Sequence, residues 1–129
     1  MSRIRKWVEE EIKKFDYYLL SITNIDKFFI EINCTIKYID EEKLDLEYIV
    51  LSKKTISERI NYINYVVSAF NKLSKDERII IYYAYMCKEK LTSEFMCEKM
   101  NISLSKYFRD KKEAIIRMAY ALGMEEDKI

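Results

Sequence analysis

The chain has 129 residues, half of them hydrophobic, with 23 basic against 22 acidic side chains, a single Gly, no Pro and no His. That length suits one domain, or one domain with an extension, and leaves enough apolar residues to bury a core. A net charge of +1 excludes a uniformly basic nucleic-acid coat but not a local patch, and the scarcity of Gly and Pro excludes the many tight turns of an all-β fold, so the expected class is all-α.

Residues 4–39 carry a heptad. One position reads Val8, Phe15, Ile22, Phe29, Ile36, and the other Ile4, Glu11, Tyr18, Ile25, Ile32, Ile39. The alternation of three and four predicts a long N-terminal helix, or a helix pair broken near Ser21–Asn24 with Thr23 or Asn24 capping the second. Such a stripe serves either as a homodimer seam or as a face folded back on a later helix, and the polar Glu11 favours folding back. Trp7 is expected to pack near the N-terminus. Residues 40–54 lose the period and read as a connection. A helix from the Ser57 region to Leu73 then places Ile56, Ile60, Ile63, Val67, Phe70 and Leu73 on one face.

Ser74, followed three residues later by Glu77, is a capping box that opens a helix over 75–87, with Ile79, Ile80, Tyr83 and Met86 or Cys87 inward. Thr92 caps a short helix ending near Met100, whose apolar set is Phe95, Met96 and Met100. In the turn Asn101-Ile102-Ser103, Asn tolerates a left-handed backbone, Ile plugs the corner and Ser caps the next helix. That last helix reaches Leu122, with Tyr107, Ala114, Ile115 and Met118 inward and Gly123 as its left-handed stop. The chain thus divides into a helical region, 1–72, for packing or dimerisation, and a helix-turn-helix unit, 73–124.

Residues 99–117 form the most basic window: Lys99, Lys106, Arg109, Lys111, Lys112 and Arg117 against Asp110 and Glu113. The groups expected outward at the start of the last helix suit a major groove. Arg109 suits a guanine, Ser105 a base edge or phosphate, Phe108 a thymine methyl and Lys112 the backbone. Ser103 offers a helix N-terminus to a phosphate. Thr92, Leu104 and Lys106 complete the expected DNA-binding set. The competing view is a corner between packed helices with a solvated basic face. The Tyr62, Tyr65, Tyr82, Tyr83 and Tyr85 cluster is expected to fill core, with hydroxyls at its surface.

Catalysis is not expected, since the chain has no His, no Gly-rich phosphate loop and no nucleophile with an evident base. Cys34, Cys87 and Cys97 form no CxxC, so neither a metal nor another cofactor is expected. No signal peptide is visible, and no apolar run approaches the roughly 20 residues of a membrane span. A reducing cytoplasm is the expected setting.

The stretch LSKDERIIIYYAYMCKEKLTSEFMCEKMNISLSKYFRDKKEAIIRMAYALG, residues 73–123, resembles the C-terminal part of the ArpU-type phage transcriptional regulators. More distantly it is similar to the DNA-binding region four of bacterial sigma factors. The residues that carry the resemblance are Leu73 through Arg78, the Tyr82-Tyr83-Ala84-Tyr85 segment, Ile102-Ser103, Tyr107 and Arg109, then Lys112, Ala114, Ala119 and Leu122. The resemblance implies a phage or prophage regulator that binds double-stranded DNA and activates a late-gene or lysis operon near a promoter, with host RNA polymerase as a further partner. It does not imply a complete sigma factor. The residues leave open a helical adaptor or antagonist of RNA polymerase that never touches DNA, and a phage terminase small subunit.

Overall fold

Helix α1 runs from Ser2 to Ile22 in the computed structural model, which describes residues 2–22, 29–30, 34–45, 47, 49–87 and 89–125. Its buried stripe is Val8, Ile12, Phe15, Leu19 and Ile22. The first heptad position is therefore inward as expected, but Ile12 and Leu19 replace the expected second position. Ile4 and Tyr18 flank the stripe, partly buried. Glu11 sits on that flank too, and its carboxylate accepts from the Tyr62 hydroxyl, with the Glu11 carbonyl 3.0 Å from the same oxygen. A polar residue beside the seam is thus satisfied by a partner 51 positions away. Trp7 packs against the core edge.

The heptad sites Phe29 and Ile36 lie in strands rather than in helix. Thr23, Asn24, Ile25 and Ile32 lie outside the described residues. Beyond them, strand β1 (Phe29–Ile30) pairs antiparallel with β2 (Thr35–Ile36), Phe29 opposite Ile36 and Ile30 opposite Thr35. The expected long N-terminal helix is present as α1, and what is corrected is its reach to residue 39. This segment is rich in β-branched Ile and Thr, which lose side-chain freedom in a helix and suit an extended backbone. Ile36 and Ile39 are still buried, as the period requires, but from an extended chain.

Two asparagines on the next helix hold that extended chain in place. Asn71 Oδ1 accepts from the Ile36 N–H at 3.1 Å and its amide donates to the Ile36 carbonyl at 2.9 Å. Asn64 brackets Ile39 in the same way, at 2.8 and 3.0 Å. Asn64 and Asn71 lie two turns apart on one helix face, so each carboxamide stands in for a missing neighbouring strand. Arg78 Nε adds a bond to the Cys34 carbonyl at 2.9 Å, where Cys34 has a positive φ of 51°.

That helix, α2, spans Lys53–Asn71, starting four residues before the expected Ser57 because Ser52 is its cap, accepting from the Thr55 N–H. All six residues expected on its inner face are buried. Helix α3, Lys75–Ile81, opens with the Ser74–Glu77 capping box and continues as one π-helical turn, Tyr82–Met86. The wider turn returns Met86 to the core, while Ile79 and Tyr83 are only partly buried. Helices α4 (Ser93–Met100) and α5 (Leu104–Ala121) complete the chain. The fold is predominantly helical, with α1, α2 and the second half of α5 around the larger core. That core draws residues from both sides of position 72, from Val8 to Met124. Among the described residues no helix is long and apolar enough to cross a membrane.

Between α1 and the π turn lies a cleft of about 390 Å³ bordered by Glu9, Lys13, Asp16, Tyr85 and Lys90. Asp16 Oδ1 is buried there without a hydrogen-bond partner. Burial pushes this carboxyl up to about 7, and the Lys90 charge opposes the rise in part. An unfolded Asp titrates near 3.9, so the folded state binds an extra proton between those values. The associated stabilisation is complete below about pH 4 and is lost as pH rises through about 7. The expected outcome is a melting temperature that falls from about pH 5 to about pH 8 in the wild type, with the fall reduced in Asp16→Asn. Parallel profiles for the two proteins would dismiss Asp16 as the group responsible.

Candidate nucleic-acid interface

The backbone between α4 and α5 is specified residue by residue. Thr92 caps α4 by accepting from the Phe95 N–H at 3.2 Å. At the other end Asn101 is left-handed, with φ 56° and ψ 50°. The Asn101 N–H bonds to the Glu98 carbonyl at 3.3 Å and the Ile102 N–H to the Cys97 carbonyl at 3.1 Å. That pair of bonds is a Schellman ending, and Ile102 and Cys97 pack together on the core beneath it. Ser103 then caps α5 by accepting from the Lys106 N–H at 3.1 Å. Gly123 ends α5 in a second Schellman turn, with φ +88°.

A small core of its own orients the two helices. Ile80 from α3, Met96 from α4 and Tyr107 from α5 are buried against one another, with Leu91, Met100 and Ile102 around them. The helix α4 contributes one buried side chain, Met96. Phe95, expected inside, is instead 52% exposed. Phe95 stands about 100° from the inward Met96, on the side away from Cys97, and it does not pack on the small core.

All eight expected DNA-binding residues, Thr92, Ser103, Leu104, Ser105, Lys106, Phe108, Arg109 and Lys112, are exposed, and the last seven share the start of α5. The basic window is less free than its count suggests. Arg117 pairs with Glu77, Nε to Oε2 at 2.9 Å, which ties α5 to the first turn of α3. Lys106 pairs with Asp110 at 2.5 Å, an exposed contact of small energy that a phosphate can displace. Lys99 lies over the Tyr83 ring and Lys111 over the Tyr85 ring, at 5.1 and 5.3 Å. Burial and the Arg5 charge lower the Lys111 pKa, with Glu9 opposing. Arg109 and Lys112 alone in the window have no partner among the described residues.

Around α5 the chemistry is sorted by angle. Ser105, Arg109 and Lys112 form one row. On one side of it stand Leu104 and Phe108. On the other, Asp110 and Glu113 face Asp76 and Glu77 across a cleft of about 360 Å³. Arg117 lines the cleft as well and pairs with Glu77, and Lys106 pairs with Asp110, so Asp76 and Glu113 are its carboxylates without an ion-pair partner among the described residues, while phosphates are attracted to the Arg109–Lys112 row. The acidic cleft was not signalled by the local sequence, because half of it comes from α3. The exposure of Phe95 was not signalled either, because adjacency to Met96 does not separate it from Cys97, which packs inward.

No family model, curated protein or solved structure matches the chain.

The left-handed turn carries its own check. In Asn101→Gly the backbone strain disappears and stability is held or raised. In Asn101→Val a β-branched residue must occupy φ 56°, at a cost of about 1–2 kcal/mol. Urea unfolding measures both, and equal stability of the two variants would contradict the turn geometry.

Proposed function

We propose that the chain is a sequence-specific DNA-binding transcriptional regulator, in which α3, α4 and α5 act as a helix-turn-helix unit and α5 enters the major groove. The observation that carries this is the exposed Ser105–Arg109–Lys112 row, with two cations unpartnered among the described residues, directly after a capped three-residue turn. In the groove Arg109 takes a guanine bidentately, Ser105 a base edge or phosphate, and Lys112 the backbone. Ser103 adds its helix N-terminus, and Thr92 the first turn of α4, as phosphate contacts. The resemblance to ArpU-type regulators supports a phage or prophage late-gene activator working near a promoter with host RNA polymerase.

A helix-turn-helix of this size covers about half a site, so a pair of protomers is the natural binding unit. The inner stripe of α1 is occupied by its own core. A homodimer through α1 would therefore use its outer side, where Tyr17 and Leu20 are 60% and 72% exposed. The second reading, a helical adaptor that binds protein rather than DNA, is favoured by the exposed Phe95, Leu104 and Phe108.

The test is binding to duplexes selected from a random library, with titration of salt. Arg109→Ala is expected to cost about 1–3 kcal/mol on the selected site and to relax specificity. Lys112→Ala is expected to weaken all sequences alike and to reduce the salt slope by about 1. Neither exposed substitution is expected to change the circular dichroism spectrum. Wild-type affinity in both variants would reject this face, and no binding by the wild type at low salt would favour the adaptor.

A further inference from the structure

We infer that this interface reads thymine through its 5-methyl group, with Leu104 and Phe108 as the specificity-determining pair. The inference rests on the DNA-binding reading above and deepens it. Leu104 and Phe108 are 46% and 49% exposed, although Tyr107 between them is 1% exposed. They lie at i and i+4 on the first two turns of α5, so their side chains stand one above the other on the same face. Phe108 is propped rather than loose, its ring meeting the Tyr107 ring edge-on at 5.6 Å. Two large apolar groups are thus held out of the small core, at the open end of the helix.

Their neighbours identify the occupant. The adjoining row is Ser105, Arg109 and Lys112, whose two charges have no partner among the described residues. An apolar protein groove closing on Leu104 and Phe108 would strip water from those cations without replacing it. A DNA major groove supplies acceptors for the cations and, beside them, one common apolar group, the thymine methyl. In the cleft on the far side of the Arg109 row, Glu77 and Asp110 are paired with Arg117 and Lys106, which leaves Asp76 and Glu113 as carboxylates without an ion-pair partner among the described residues. Those two disfavour a phosphate beside them and bias the duplex towards the Leu104–Phe108 side. The preferred site therefore has thymines next to the guanine read by Arg109.

The test uses the duplex recovered by the full chain from a random library, resynthesised with deoxyuridine replacing each thymidine in turn. This exchange deletes the methyl and nothing else. At one or two positions the wild type is expected to lose about fourfold in affinity per methyl. In Phe108→Ala or Leu104→Ala the thymine-to-uracil ratio at such a position is expected to fall towards one. Because the ratio is taken within one protein, a general loss of affinity in a variant does not mimic it. Equal affinity of the wild type for thymine and uracil at every position would overturn the inference while leaving DNA binding intact. A ratio unchanged in both variants would overturn it as well. Recovery of no duplex would end the DNA-binding reading, and this inference with it.

Discussion

One helix is shared between two cores, and the arrangement of the molecule depends on that sharing. The second half of α5 buries Ala114, Ile115, Met118, Ala119 and Leu122 against α1 and α2. Its first half contributes Tyr107 to the smaller cluster with Ile80 and Met96. Helix α3 is divided in the same way, Ile80 facing the small core and Ile81 the large one. Because both helices are anchored at their covered ends, the first turns of α5 project beyond the larger core without being free to swing. A rigid, half-covered helix is the requirement for presenting side chains at fixed angles to a groove.

Polar groups make the same division in electrostatic terms. Glu77 completes the cap of α3 through the Ser74 N–H and also receives Arg117 from α5. One carboxylate, only 14% exposed, therefore fixes the start of one helix and its angle to another. The cost is a basic residue whose charge is already paired, although its side chain stays exposed. Lys99 and Lys111 are likewise drawn over aromatic rings, which concentrates the unpartnered charge at Arg109 and Lys112. Asn64 and Asn71 close the backbone of Ile39 and Ile36. A segment too short to build a real sheet is thereby kept from leaving bonds unmade.

Where the sequence was legible, the signal was local and chemical. The capping box at Ser74–Glu77, the caps at Thr92 and Ser103, the left-handed Asn101 and the Gly123 stop all lie within a few residues of what they control. The inner face of α2 followed from its period of 3.6 residues. The N-terminal heptad misled at Phe29 and at Ile36 to Ile39, because apolar spacing does not separate a helix from an extended chain that buries Ile36 and Ile39. The start of α2 was set four residues late for a smaller reason, the overlooked cap at Ser52.

The sequence alone thus determined the helical class, the turn before α5 and which residues begin that helix, since capping and backbone sign are short-range effects. Tertiary structure decided the rest. It turned Phe95 out, drew Glu11 to Tyr62 and matched Arg117 to a carboxylate 40 positions away. It also built a cleft from two helices beside the exposed row, lined by four carboxylates and Arg117. Which charges stay unpaired depends on distances between remote segments, and no pattern along one segment contains those distances.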